Sequence, residues 1–235
     1  MLTIAEEIFL LACHDPDGNY KHGRHKMHSS LIALGGIFEL VLQEGLVPDV
    51  GEYISKMELE DIYNQMQNKP QFGIKVYDKR ATDDPVLDFI LKKIGKLRNK
   101  TSKKWANIIG RSPEFLALVE RSLIEKRVLK KVKKKFLGLI PYTILASDNI
   151  VQEANMRIRL NSVLKKTTSY DDRSIALLSI LHNTSLARIF QKAHKDIYYV
   201  LRDYIEARRG YEKVVWLVQS NFDINDYYKI NLSKL

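Results

Sequence analysis

The sequence predicts an all-α fold, a single helical domain over residues 1–235 with one β-hairpin. Three observations carry that prediction. Apolar residues recur at helical spacing through most of the chain, which is the primary signal for amphipathic helices. Residues 29–44 are apolar almost all round, as a helix at the centre of a domain is. Two β-prone runs, 128–132 and 136–142, flank Lys133-Lys134-Lys135, so a hairpin with a basic tip is expected. With 45% apolar and 28% charged residues among 235, the chain can bury a full core. Its one cysteine, Cys13, excludes an internal disulfide framework.

The elements follow in order. Thr3-Ile4-Ala5-Glu6 is a capping box, and Ile4, Ile8 and Leu11 follow it on one face. Asp15-Pro16-Asp17-Gly18 stops that helix. The central helix, Ser29 to Glu44, carries Leu31, Ile32, Leu34, Ile37, Phe38, Leu40, Val41 and Leu42, with Gly45 as its expected C-cap. Residues 46–82 are the least periodic stretch, with a short strand expected at 73–77. Asp84-Pro85 then pairs an N-cap with Pro at the first helical position, and Leu87, Ile90, Leu91, Ile94 and Leu97 form a stripe behind it. Ser112-Pro113 opens the next helix in the same way, with Leu116, Val119 and Leu123 inward. Past the hairpin, Asp148 is expected to open a helix with Ala154, Ile158 and Val163 inward. Asp171 or Asp172 opens another with Ile175, Leu178 and Leu181. A last one near 196–208 buries Ile197, Val200, Leu201, Tyr204 and Ile205.

Charge narrows the partners. Lys and Arg number 38 against 28 acids, and residues 96–135 hold 14 of the cations with three acids. That segment is net +11 and the rest of the chain −1, which points to a polyanion: a nucleic acid or an anionic membrane surface. No apolar run reaches the roughly 18 residues that spanning a bilayer requires. The first residues lack the basic region of a signal peptide. A cytoplasmic protein is therefore expected.

Catalytic signatures are weak. The chain has no Gly-rich phosphate loop, nucleophile elbow or paired-cysteine zinc motif, so neither an enzyme nor a cofactor is expected. Glu39, inside the apolar helix, reads as a structural carboxylate tied to an Arg or to backbone donors. Cys13 reads as a buried thiol. His14, His22, His25 and His28 cluster in one loop, but Lys21, Arg24 and Lys26 are interleaved and disfavour a metal ion. The loop reads instead as basic and pH-responsive. Segment 112–142 has the helix-and-wing layout of some DNA-binding modules. Glu114, Glu120 and Glu125 on that helix would repel phosphates, so nucleic-acid binding stands as the alternative to membrane docking.

The order of motifs resembles the Golgi phosphoprotein 3 family of phosphoinositide-binding peripheral membrane proteins. The resemblance rests on Leu2–Leu11, on Gly36-Ile37-Phe38-Glu39-Leu40 and on Asp84-Pro85-Val86-Leu87-Asp88. It continues through Leu123–Leu129, Leu137-Gly138-Leu139-Ile140-Pro141-Tyr142 and Arg157-Ile158-Arg159-Leu160. Asp171–Leu177 and Leu181-His182 complete the order, and the resemblance is clearest over 2–190. It implies a non-enzymatic protein that binds phosphatidylinositol 4-phosphate at a cytosolic membrane face, the Golgi's in a eukaryote. Membrane-protein cargo tails and further copies of the chain are the implied partners. Eukaryotic members hold the lipid with a Trp and an Arg flanking the central helix and an Arg-x-x-Arg pair before the hairpin. This chain has Arg24, Ala33, Pro113 and Leu116 at those four positions, so the ligand set is not carried over.

The residues expected to contact headgroups are Lys21, Arg24, Lys26, Lys103, Lys104 and Arg111, with Trp105 contacting the membrane. Lys133, Lys134 and Phe136 mark the hairpin as a surface for self-association, the role the resemblance implies for it.

Overall fold

The N-terminus sets the pattern of local sequence fixing local structure. Thr3 and Glu6 close the expected box: the Thr3 amide donates to Glu6 Oε2 at 2.7 Å and the Glu6 amide to Thr3 Oγ1 at 3.3 Å. In the computed structural model, residues 1–13, 26, 28–48, 73–96, 100–136, 139–182, 184–190, 193–207 and 213–221 are described. They form α1 (Ile4–Cys13), α2 (Ser29–Leu42), α3 (Pro85–Ile94), α4 (Ser102–Gly110), α5 (Pro113–Glu125), α6 (Val151–Leu164), α7 (Asp172–Leu181), a 3₁₀ turn (Ser185–Ile189), α8 (Ala193–Ala207) and α9 (Lys213–Asn221). Strands β1 (Leu46–Pro48), β2 (Gly73–Val76) and β3 (Lys100–Thr101) make a small antiparallel sheet, and β4 (Leu129–Phe136) pairs with β5 (Ile140–Ser147). The fold is all-α with a hairpin, as the pattern predicts.

Helices α1 and α2 lie at the centre. All ten residues of α1 are buried, as are Ile32 to Val41 of α2. A Cβ on Gly35 would stand 2.8 Å from Ile8 Cδ1 and 3.0 Å from the Ala5 amide nitrogen, so glycine sets how closely the two helices approach. Helices α3, α4, α7 and α9 pack around α2, while α5, α6 and α7 also reach α1. One contiguous apolar core draws on every helix, with Cys13 inside it.

Several local signals resolve as expected. Asp84 Oδ1 accepts from the amides of Val86 and Leu87, with Pro85 in the first turn of α3. Asp171 caps α7 through the Ser174 amide at 2.8 Å. Ile197, Val200, Leu201 and Tyr204 of α8 are buried. The expected turn at 15–18, and Leu97, lie outside the described residues.

Three expectations are corrected. Helix α2 ends at Leu42, and Gly45 is not its left-handed cap. Glu44 takes that conformation (φ 62°), while the Gly45 amide reaches the Leu40 carbonyl at 2.8 Å and the Glu44 amide reaches Val41 at 3.1 Å. Lys133, Lys134 and Lys135 do not form the hairpin tip. They lie within β4, opposite Thr143, Tyr142 and Pro141, because the ladder continues to Phe136↔Ile140. Helix α6 begins at Val151, not at Asp148, and turns Glu153, Met156, Leu160 and Val163 inward. Ala154 and Ile158 face out. Glu153 tolerates its position because it accepts from Arg157 Nε and Nη2 at 2.9 and 2.7 Å.

Candidate functional site

Helix α4 sorts its residues into two faces. Thr101 caps it through the Lys104 amide, and Trp105, Ala106, Ile109 and Gly110 turn inward against α2. Lys103, Lys104, Asn107, Ile108 and the C-cap Arg111 turn outward. Segment 96–111 contains six Lys and Arg and no acid, and the outward face of α4 carries Lys103 and Lys104 at its start and Arg111 at its end.

The C-terminal end of α4 meets the start of α2. A Cβ on Gly110 would lie 2.7 Å from the Ser29 carbonyl carbon and oxygen and from the Ser30 nitrogen, so the two backbones touch. Arg111 and Ser112, the N-cap of α5, follow within two residues. The starts of α2 and α5 therefore lie near one corner, which Arg111 borders, with the exposed Lys26 just ahead of α2. Neither N-cap side chain closes its helix, and the first turn of α2 carries no acid. Helix N-termini present free N–H groups and partial positive charge, the basis of anion binding there. Glu114 in the first turn of α5 is the opposing charge at this corner.

Pairing separates the basic residues into structural and available ones. Lys126 is held by Glu6 at 2.7 Å and Asp84 at 3.3 Å, Lys130 by Asp148 at 3.0 Å and Lys131 by Glu120 at 3.0 Å. Among the described residues, Lys103, Lys104 and Arg111 on α4, Lys133, Lys134 and Lys135 on the distal half of β4, and Lys96, Arg121 and Arg127 elsewhere are exposed and have no carboxylate partner.

The structure thus brings Lys103, Lys104 and Arg111 together on one helix and sets Lys26 near the neighbouring helix start. Lys21 and Arg24 lie outside the described residues, as does the side chain of Phe136. Trp105 is a correction. It is 1% exposed, on the inward face of α4, with Lys100 Nζ 5.7 Å from its ring centre. Its bulk is spent on the core, so it does not contact a membrane from this position. The exposed apolar residue of the face is Ile108, 43% accessible, which sequence reasoning missed. Its only signal was its placement four residues after Lys104 and three before Arg111.

A second polar cluster is structural. Arg173 Nη1 donates to both oxygens of Glu39 at 2.9 and 2.8 Å, and its Nη2 reaches the Leu2 carbonyl. Glu39 also accepts the Ile4 amide at 2.9 Å, so it is the tied carboxylate expected of it. Glu7 accepts from Arg159 Nη2 at 2.9 Å to each oxygen, and Arg173 lies 3.6 Å away. Burial pushes the Glu7 carboxyl above its ordinary value, against the pull of Arg173 and Arg159. Of the histidine loop only His28 is described, at the N-cap of α2. Among the described residues no group of three or more His, Cys, Asp and Glu is placed to hold a metal ion.

The outward face of α5 bears on the nucleic-acid alternative. It presents Glu114, Ala117, Arg121 and Glu125, two acids where a reading helix would meet phosphates. No helix among the described residues is long and apolar enough to cross a membrane. Compared with known families, residues 4–211 match the one described as Golgi phosphoprotein 3 (GPP34). Among curated proteins, none matches the chain.

Proposed function

From the premise that the chain belongs to the Golgi phosphoprotein 3 family, we propose that it is a non-enzymatic peripheral membrane protein that docks on anionic phospholipid headgroups. Phosphatidylinositol 4-phosphate is the headgroup the family implies. In this role the protein works on a cytoplasmic membrane face as an adaptor for membrane-protein tails, and in a eukaryote that face is the Golgi's. The observation that carries the reading is the cationic face of α4, whose Lys103, Lys104 and Arg111 have no carboxylate partner among the described residues and which ends where α2 and α5 begin.

The four positions at which eukaryotic members hold the lipid carry Arg24, Ala33, Pro113 and Leu116 here, so the recognition is rebuilt. Lys103, Lys104, Arg111 and Lys26 supply it, joined by Lys21 and Arg24. Arg111 engages phosphate oxygens through a fork of donors, and the lysines act as point charges. The β4–β5 hairpin, with Lys133, Lys134 and Phe136, joins copies of the chain, and avidity then multiplies weak headgroup contacts.

Vesicle co-flotation at physiological salt tests this. Neutral vesicles, phosphatidylglycerol vesicles and phosphatidylinositol 4-phosphate vesicles of matched charge are compared, with duplex DNA as competitor. Each Lys or Arg near an acidic leaflet contributes about 1 kcal/mol, and reversal adds repulsion of similar size. Lys103→Glu with Lys104→Glu should thus weaken flotation by on the order of a thousandfold. Preference for the phosphoinositide supports the family's ligand, and equal binding to all anionic vesicles supports charge-driven docking. Unchanged flotation of the double variant rejects the α4 assignment. Absent flotation with tight DNA binding rejects the membrane reading.

A further inference from the structure

The outward face of α4 is not uniformly polar. Ile108 stands at its middle, 43% exposed, while Trp105, Ala106 and Ile109 of the same helix are at most 2% exposed. Residues three and four apart are neighbours on a helix surface, so Lys104 and Arg111 flank Ile108 along the axis, with Lys103 and Asn107 beside them. A single exposed aliphatic residue needs no explanation on an ordinary surface. This one lies inside an acid-free segment where Lys103, Lys104 and Arg111 are exposed and, among the described residues, have no carboxylate partner, and that setting fits a specific partner.

A nucleic-acid backbone gains from the cations and nothing from the isoleucine. An anionic bilayer takes both: the cations meet the phosphate plane, and the aliphatic group reaches the acyl boundary below it. Long Lys and Arg side chains extend their charged ends while their stems lie along apolar surface, so they stay with the headgroups as the helix settles. A second exposed aliphatic group on a helix among the described residues, Val151 and Ile158 of α6 with Ile150 beside it, lacks this surround. Its neighbouring charges Glu153, Arg157 and Arg159 are committed to ion pairs within the protein.

We propose that α4 lies flat on an anionic bilayer with Ile108 inserted into the acyl boundary, as the apolar anchor of a face that Lys103, Lys104 and Arg111 hold by charge. The inference rests on the membrane reading of this face and adds the depth and orientation of docking to it. Insertion of Ile108 makes part of the affinity insensitive to salt, because burial of aliphatic area is not screened as charge is.

The test uses the full chain and vesicles of phosphatidylcholine with about a third phosphatidylglycerol. Ile108→Asn should weaken partition about tenfold, since close to half of the side chain remains to be buried. Its salt dependence should stay that of the parent, whereas Lys103→Glu with Lys104→Glu should flatten it. In Ile108→Trp, the new indole should shift to the blue on vesicle addition and be quenched by chain-brominated phosphatidylcholine. Trp105 and Trp216, both buried, give an unquenched background. Parent-like partition of Ile108→Asn, or an unquenched Ile108→Trp on bound vesicles, overturns the insertion and leaves headgroup docking standing. A parent chain that ignores the vesicles, or floats only until duplex DNA is added, overturns the membrane reading and the insertion with it.

Discussion

Replacing Arg173 with methionine isolates the charge that ties the N-terminus to the centre of the molecule. The guanidinium donates to both Glu39 oxygens at 2.9 and 2.8 Å, reaches the Leu2 carbonyl and lies 3.6 Å from Glu7. Methionine keeps most of the apolar stem and adapts to irregular space, so the loss is mainly electrostatic. Removing one partner of a buried ion pair costs about 3–5 kcal/mol, because the other charge stays buried without compensation. Both carboxylates keep donors: Glu39 retains the Ile4 amide at 2.9 Å and Gln43 Nε2 at 3.2 Å, and Glu7 retains Arg159 at 2.9 Å. The expected cost therefore sits at the low end, about 3 kcal/mol. For a chain of this size that lowers Tm by about 6–12 °C.

Glu39→Gln supplies the second corner of a double-mutant cycle. A neutral amide oxygen still accepts the Ile4 amide, so in the Arg173→Met background it removes the uncompensated charge and keeps the backbone bond. The double variant should be more stable than the sum of the single losses by about 1–2 kcal/mol. Urea denaturation with m-values, followed by far-ultraviolet dichroism, measures all four proteins. A loss below about 1 kcal/mol for Arg173→Met, or additivity within about 0.5 kcal/mol, refutes the argument that Arg173 offsets a buried negative charge.

Two further substitutions probe the same frame. Burial raises the Glu7 carboxyl in the folded state, so the folded protein binds its proton more tightly than the unfolded chain does. The stability tied to that proton is full below the unfolded value, near 4.5, and is lost as pH rises through the raised folded value. The parent should gain stability relative to Glu7→Gln on acidification through that window, and urea midpoints that keep a constant gap would contradict it. Gly110→Ala sets two effects of opposite sign against each other. Alanine favours a helix over glycine by about 1 kcal/mol, but its Cβ would lie 2.7 Å from backbone atoms of Ser29 and Ser30. The clash should win, with a net loss of about 1–3 kcal/mol and weaker vesicle binding, and a stabilised variant would mean that α2 and α4 do not meet as described.

What was legible in the sequence was what is encoded within a few residues. Thr3 with Glu6, Asp84 with Pro85, and Asp171 each satisfy helix-end donors from neighbouring side chains, so their types and spacing identify them. The apolar run of α2 was equally direct, because all-round apolarity has one stable location. Of the residues expected inward on helix α6, Val163 is buried while Ala154 and Ile158 face out, because the helix carries two competing stripes: Val151, Ala154 and Ile158 make one, and Met156, Leu160 and Val163 the other. The choice is made by α1, α7 and α8 packing on the second, with Arg157 at hand to neutralise the buried Glu153. The hairpin tip departs from expectation because exposed strands carry lysine readily on both faces, so three consecutive lysines do not mark a turn.

The candidate site divides along the same line. Lys103, Lys104 and Arg111 were visible as cations in an acid-free segment. Whether Trp105 or Ile108 meets the outside was not, because either side of α4 offers apolar residues at helical spacing. The contact of Gly110 with Ser29 settles it, joining positions some eighty residues apart and turning Trp105, Ala106 and Ile109 onto α2. That contact also brings the starts of α2 and α5 to one corner, a juxtaposition that local pattern could not show. Frame and function therefore rest on different residues. Arg173, Glu7 and Glu39 place their charge against one another inside the protein, so their loss destabilises it. Lys103, Lys104 and Arg111 spend theirs on nothing within the described residues, so reversing them should leave stability close to the parent's and change binding alone.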